Sequence, residues 1–488
     1  MYRVKVALDP ALEQQFGPEI KWVLRYLLSG IGYAWQQVPL DDALCDLAYV
    51  LEANQGIQAR LRICANRAAW QMRSQLRLSS IAQVQDWQYL RYENLPSAPL
   101  IEQQREQGLL LQHDLIFDCF WLLSGQEEIH WPKREHGYAD LSDTNYLASG
   151  TLRLALASQI GSDLQSCFSR LGFTSPIARW PYGKRLAASA GHDVDYPQII
   201  RWIEPLRIIQ RQGLSGLKPA LEVAAGAHTH WHFGSWMRLE QQLGSRSAFY
   251  FVARQGSLRE YASGLPDPFY AINTPAFQRL FSELRDAGFE IGLHASYNAY
   301  QSKARFAAEK DWLEQISGQA VVGNRHHYWH LDPGQPENTL YLHEQIGLRY
   351  DSSLFHDQYL GWRRGSTWPF FPFYQQQRRQ LGTLQMPTAW MDDQLFGQRH
   401  TNPGDRAELL NSLVQQVAAQ AGCLLVDIHE YVYDQQLFPG WAATYQQLWQ
   451  QLAARGDVWF ATPAQIAQHW IDRYRTLERM SSGLEGAM

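Results

Sequence analysis

Apolar and polar positions change period along the last two-thirds of this chain. Short, nearly unbroken apolar runs predict buried strands: "RLAASAGHD" (185–193), "SAFYFVA" (247–253), "FEIGLH" (289–294), "AVVGNRHH" (320–327), "GTLQMPTAW" (382–390), "CLLVDIH" (423–429) and "DVWFAT" (457–462). "LRYDSSL" (348–354) reads as extended. Between them, apolar residues recur at helical spacing. In 273–288 these are Phe277, Leu280, Phe281 and Leu284; Pro275 suits the first turn and Gly288 ends it. Stretches 302–318, 336–347, 405–422, 443–456 and 463–480 repeat the pattern. Strands that alternate with helices imply parallel pairing and right-handed crossovers. A closed or nearly closed (β/α) barrel accommodates this better than an open sheet.

The first third reads differently. "PEIKWVLRYLLSGIG" (18–32) and "DLIFDCFWLLSGQEE" (114–128) predict amphipathic helices, and 136–160 a connecting stretch before another helix. Asp114, Asp118, Glu127 and Glu128 are expected on a solvated face. "FTSPIARWPYGKR" (173–185), with two prolines and basic residues, reads as a linker. The expected division is a smaller α/β or mostly helical N-terminal domain (1–172), a linker (173–185), a barrel (186–475) and a C-terminal tail (476–488). A length of 488 residues suits more than one core.

Composition narrows the function. The net charge of −5 argues against a nucleic-acid partner, which needs a basic surface. Five scattered cysteines form no CxxC, so neither a disulfide framework nor a cysteine zinc site is expected. No apolar run approaches the roughly 20 residues of a membrane span. "MYRVKVALDPALEQQFG" lacks the apolar core of a signal peptide, so a cytoplasmic address is expected.

The polar residues gather at one place in the pattern. Asp193 and Asp195, His294, Arg325 with His326 and His327, Asp392 with Asp393, and His429 all stand at or just past the C-terminal end of a strand. In a barrel those ends share one face, where such folds build active sites. Aspartate with neutral histidines suits zinc or a similar divalent ion. A second carboxylate can take a proton from water, a histidine can protonate a leaving amine, and an arginine can hold the base ionised. Those roles describe hydrolysis of an amide. Each residue also has a plainer reading, as a helix cap, a turn residue or a satisfied structural histidine. "HTHWHFG" (228–234) puts three histidines at period two without a carboxylate, and reads as a polar loop.

"GHDVDYP", "SAFYF", "EIGLHASYNAY", "NRHHYW", "GLRYDSSL", "GWRRGS", "MPTAWMDD" and "DIHEYV" occur in an order that resembles the polysaccharide deacetylases of the NodB-homology type. The likeness is to the branch with a DVD first motif and an additional N-terminal domain, and it covers about residues 185–470. It implies a distorted, incomplete (β/α) barrel that removes acetyl groups from N-acetylated sugars with one divalent metal ion, zinc first, nickel or cobalt as alternatives. It implies Asp193 as general base, Asp195 and His294 as metal ligands, Arg325 as the residue that orients the base, and His429 as general acid supported by Asp392. The family's second motif commonly reads HxxxH, whereas "HASYN" places Asn298 at the second histidine. His326 or His327 from the next strand end can replace it, with His327 preferred. Tyr196, Tyr328, Trp362 and Trp390 are the expected substrate-binding rings. "FWLLSGQEE" resembles the branch's N-terminal domain, a candidate site for a protein partner. Two other functions stay open: a non-catalytic carbohydrate-binding or scaffold barrel that has lost a ligand, and an amidohydrolase acting on a small cyclic amide.

Overall fold

The computed structural model describes residues 2–482 except 43, 52–56, 85–86, 97–101, 106–107, 175 and 398–401. The barrel strands are β9 (Leu186–Val194), β10 (Ala248–Phe251), β11 (Glu290–Ala295), β12 (Gly323–His326), β13 (Tyr350–Asp351), β16 (Leu384–Gln385), β17 (Thr388–Met391), β18 (Cys423–Asp427) and β19 (Val458–Phe460), with the small ribbon β14 (Phe373–Tyr374) and β15 (Arg379–Gln380) between β13 and β16. The main sheet runs β16-β13-β12-β11-β10-β9-β18-β17, every pair parallel, and β19 adds to β9. Helices fill the crossovers, among them Pro275–Asp286, Lys303–Ser317, Pro336–Gln345, Pro403–Ala419 and Trp441–Arg455, and Pro463–Ser481 follows the last strand. The fold class is thus α/β.

The curl of the sheet follows from its connectivity. If flat, eight strands would hold their edges about 34 Å apart, at about 4.8 Å per neighbour. Yet the two edge strands, β16 and β17, are separated only by Met386 and Pro387, so Gln385 and Thr388 lie within about 11 Å, three Cα steps. The sheet must therefore curl round on itself. The single strand expected over 382–390 is split: its first half pairs with β13 and its second with β18. Pro387 has no N–H to offer a ladder, which explains the break at that point.

Alternation along the strands separates two cores. Outward residues, such as Ala188, Val194, Phe249, Leu293 and Val426, pack under the helices with Phe277, Leu413 and Trp449. Inward residues Ala187, Ala248, Tyr250, Tyr350 and Leu425 belong to a second cluster. The interior is tight there. A Cβ at Gly191 or Gly292 would run into the Tyr250 ring, and one at Gly323 into the Tyr350 ring. Two tyrosines thus fill the barrel because three neighbouring strand positions are glycine.

The inward cluster continues into the N-terminal half through Val4, Leu24, Trp70 and Phe120. That half is α/β. A sheet in the order β2-β1-β3-β4-β8-β7 comprises β1 (Arg3–Leu8), β2 (Ala34–Val38), β3 (Cys45–Val50), β4 (Ala59–Cys64), β7 (Glu102–Arg105) and β8 (Gly108–Leu111), parallel except for β7 against β8. An antiparallel hairpin joins β5 (Leu78–Val84) to β6 (Trp87–Tyr92). Helix Pro10–Gly30 starts on Asp9, whose carboxylate accepts from the Ala11 N–H at 2.9 Å. Trp368 packs where Gly30 and Gly161 leave room for its ring. Arg179, in the expected linker, donates to the carbonyls of Gly30 (2.8 Å) and Gln420 (2.7 Å), tying the two halves together. Residues 476–481 of the expected tail belong to the last helix, and 483–488 lie outside the described residues.

The expected acidic face needs correction. Asp114, Asp118, Glu127 and Glu128 are all buried. Asp114 accepts from Tyr49 Oη and from the Asn66 and Phe117 N–H groups, and Asp118 from the Leu90 N–H and Tyr92 Oη. Glu128 faces Arg363 at 2.7 Å and Arg364 at 2.8 Å. The carboxylates are inside because buried donors require acceptors, a demand that helical spacing does not reveal.

Candidate active site

Alternation along β9 turns Asp193 into the barrel mouth, and Asp195 follows one residue beyond the strand. Register sets the rest: Asp193 lies opposite Tyr250, His294 opposite Arg325, and Met391 opposite Asp427. His294 Nε2 is 3.3 Å from Asp195 Oδ1 and 3.6 Å from Asp193 Oδ2. His327 Nε2 is 3.6 Å from the same Asp195 Oδ1. His429 Nε2 stands 3.5 Å from Asp195 Oδ2.

Hydrogen bonds on the far side of each ring fix what faces the centre. His294 Nδ1 donates to the Arg325 carbonyl at 2.7 Å, and His327 Nδ1 faces Asp267 Oδ1 at 3.3 Å. A carbonyl only accepts, so the proton of neutral His294 is on Nδ1 and Nε2 presents a lone pair. The same holds for His327. Three acceptor atoms therefore converge, and buried Asp195 Oδ1 and His327 Nε2 have no hydrogen-bond partner. Such a donor-free cluster suits a divalent cation, and the set of one carboxylate and two imidazoles with outer hydrogen bonds fits zinc-type ions.

Arg325 is fully buried and bridges two acids, Asp193 Oδ1 at 2.8 Å and Asp427 Oδ1 at 2.9 Å, while its Nε donates to Ser352 Oγ at 3.1 Å. Burial disfavours the guanidinium charge, but Asp193 and Asp427 outweigh this and keep it protonated. Burial, then repulsion from Asp193, pushes the Asp427 carboxyl well above the usual range. His429 Nδ1 donates to Asp392 Oδ1 at 2.9 Å, and its backbone N–H donates to Asp392 Oδ2 at 2.7 Å. Burial works against the imidazolium, yet Asp392 and other neighbours hold His429 well above the ordinary histidine range.

Other expected residues fall elsewhere. His326 turns away from the centre, its Nε2 2.9 Å from His343 Nε2. Asn298 Oδ1 accepts from Gln301 at 3.2 Å and is not among the converging atoms. Tyr196 and Tyr328 are half-buried. Trp362 and Trp390 are a correction: each is 1% exposed in the outer core and offers no stacking face, because their apolar area is spent on packing under the helices. The histidines of 228–234 do not converge: His228 pairs with Asp434 at 2.7 Å, and His230 donates to the Tyr196 carbonyl at 2.9 Å.

Sequence reasoning missed several contributors. Asp427 stands two residues before His429, on the same inward parity of β18, a signal that was available. Asp267 comes from an irregular loop without any pattern; it also accepts from the Tyr297 N–H and pairs with Arg254. The N-terminal half reaches the rim, where Tyr138 Oη donates to the Tyr328 carbonyl at 2.6 Å and His136 Nδ1 lies 2.8 Å from Tyr297 Oη. Tyr328 and Trp329 hold positive φ values of 58° and 51°, a left-handed turn that directs His327 inward.

No family model matches this chain. No curated protein matches it either. Among solved structures, it is similar to a Mycobacterium smegmatis protein assigned as a polysaccharide deacetylase, with 18% identity and a TM-score of 0.40 over 62% of this chain and 94% of that one. It is similar to Puue allantoinase at 16% identity and TM-score 0.40, over 62% and 95%. A Pseudomonas aeruginosa PAO1 protein with the deacetylase assignment gives 17% identity and 0.40, over 62% and 96%. Likeness at this level says nothing of substrate, so the functional argument rests on the site.

Proposed function

We propose that the chain is a metal-dependent hydrolase that removes the acetyl group from an N-acetylated sugar or polysaccharide precursor. The observation that carries this reading is the convergence of Asp195 Oδ1, His294 Nε2 and His327 Nε2, three acceptors without a donor among them. A divalent ion bound there activates water and polarises an amide carbonyl.

The remaining residues supply proton transfer and position. Asp193 Oδ1 is held by Arg325, which leaves Oδ2 to accept a proton from the attacking water. His429, kept protonated beside Asp392, presents Nε2 to the opposite side of the centre and delivers a proton to the departing nitrogen. Arg325 is a positioning residue: it holds the base and touches no substrate. Tyr196 and Tyr328 offer half-exposed rings for the sugar.

Elemental analysis of purified protein, with Asp195→Ala and His294→Ala alongside, tests the reading. About one divalent ion per chain is expected in the wild type and none in either variant, with acetate released from N-acetylated sugars by the wild type alone. No metal after reconstitution with zinc, nickel and cobalt, or metal without acetate release, overturns it.

A further inference from the structure

Between β9 and β10 the chain forms a helical hairpin, Glu204–Gln212 and Leu217–Ala225, joined by the turn Gly213–Gly216. One face of each helix is buried, through Glu204 and Ile208 on the first and Ala220 and Val223 on the second. The opposite faces are apolar and bare. Trp202, in the turn that leads into the first helix, continues the spacing of Leu206 and Ile209, and Leu214, in the connecting turn, continues that of Leu217 and Leu221. Exposure reaches 65% for Trp202, 72% for Leu221 and 87% for Leu214. These six belong to a group of only fourteen exposed large hydrophobics among the described residues, so they form a patch rather than a scatter.

Cations outnumber acids around the patch, four to two. Arg201, Arg207, Arg211 and Lys218 flank it, in a chain whose net charge is −5. The two acids of the segment are already engaged: buried Glu204 pairs with Arg211 at 2.7 Å, and Glu222 lies 3.7 Å from Lys218. Apolar stripes of Leu, Ile and Trp rimmed by long cationic side chains suit the plane of a bilayer, with the charged ends at the headgroups. The hairpin also borders the candidate site. Arg207 lies 5.1 Å over the ring of Tyr196, the residue after Asp195, and the short helix Leu258–Ala262 exposes Leu258 and Tyr261.

We propose that this hairpin docks the protein on bilayers carrying anionic headgroups, with the mouth of the barrel at the membrane surface. The consequence for substrate, an acetylated sugar carried on a lipid, rests on the hydrolase reading; the docking does not.

Co-sedimentation with vesicles tests the docking without any turnover. Wild-type protein is mixed with phosphatidylcholine vesicles, or with the same vesicles containing phosphatidylglycerol, beside the double variant Leu206→Glu/Leu221→Glu. Wild type is expected to sediment with the anionic vesicles, to dissociate as salt is raised, and to bind at least tenfold more tightly than the variant. The variant is expected to keep its circular dichroism and its metal content, because both leucines are exposed. Wild type that stays in the supernatant, or that binds neutral vesicles equally well, overturns the proposal. So does a wild-type dimer in sedimentation velocity that the double variant abolishes, since a second copy would then cover the patch. Failure of acetate release with intact vesicle binding refutes the hydrolase reading and spares the docking.

Discussion

Replacing Arg325 by methionine removes a fixed, buried cation of the barrel mouth and strands two carboxylates. Asp193 and Asp427 each accept from the same Nη1, at 2.8 and 2.9 Å, and both are almost wholly buried. Removing one member of a buried charge cluster costs about 3–5 kcal/mol, since the charges left behind stay desolvated. The guanidinium also lies 4.6 Å over the Tyr250 ring and 5.2 Å from that of Trp329, contacts that methionine replaces in part. Asp427 is already pushed up by burial and by Asp193, so it takes a proton readily in the variant and limits the loss to about 3 kcal/mol at neutral pH. Asp427→Asn alone leaves a matched Arg325–Asp193 pair and should cost well under half of that. Asp427, whose carboxyl is raised in the folded state, loses its bridging cation in Arg325→Met. Its contribution is therefore intact below the unfolded value of about 4 and lost as pH rises through the raised one. Urea unfolding at pH 5 and pH 8 should show the deficit of Arg325→Met growing with pH, and the added Asp427→Asn change should recover part of it. A deficit below about 1 kcal/mol, or one equal at both pH values, would refute the bridging role.

Asp267→Asn should weaken divalent-ion binding by about 10–100-fold in chelator competition, because it removes the carboxylate that orients His327; a change within about threefold would mean the ring needs no such support. Asn298→His should leave that affinity within about threefold, as the Asn298 side chain bonds Gln301 and the third position belongs to His327. Ion binding should weaken as pH falls, since burial lowers His294 but Asp193 and Asp195 raise it further, and a proton competes with the ion; titration at pH 8 and pH 6 reads this directly. Glu290, pushed from 4.5 to about 7 by burial, contributes stability that is fully present below pH 4.5 and lost as pH rises through 7. Glu290→Gln should flatten the fall in stability between pH 5 and pH 8 by on the order of 3 kcal/mol in urea unfolding, and an unchanged slope would show that Glu290 does not titrate there.

The sequence made most barrel strands legible because they are buried apolar runs, several of which end on a charged or imidazole group. β9 and β18 are the clearest cases: alternation alone turns Asp193 and Asp427 inward. Two features escaped for physical reasons. The split of 382–390 depends on which neighbour each half meets, and local pattern carries no record of that. The acids of the first third lie at helical spacing like any solvated face, and only the donors that arrive from Tyr49, Tyr92, Arg363 and Arg364 explain their burial. Trp362 and Trp390 failed as substrate faces for a related reason. A tryptophan beside a motif is as useful for packing as for stacking, and burial decides between the two.

The acidic groups at the mouth also explain why a cation belongs there. Asp392 pairs with the protonated His429, and Asp193 pairs with Arg325. Burial and neighbouring acids push Asp427 and Glu430 well above the carboxylate range, so both lean toward the neutral form. Asp195 keeps its negative charge: burial works against it, but His327, His294 and His429 outweigh this and hold the carboxyl well below the usual range, with His429 Nε2 3.5 Å from its Oδ2. It faces two imidazoles whose protons are turned outward, and its Oδ1 has no partner. A buried carboxylate oxygen without a partner is unfavourable. His429 stands on the Oδ2 side; at Oδ1 the positive charge can come from a proton on His294 or from a divalent ion on all three acceptors. Only the ion satisfies Oδ1 and His327 Nε2 together, because a proton on His294 leaves the His327 lone pair unmet. The arrangement of ordinary hydrogen bonds behind the rings therefore selects the ion over the proton.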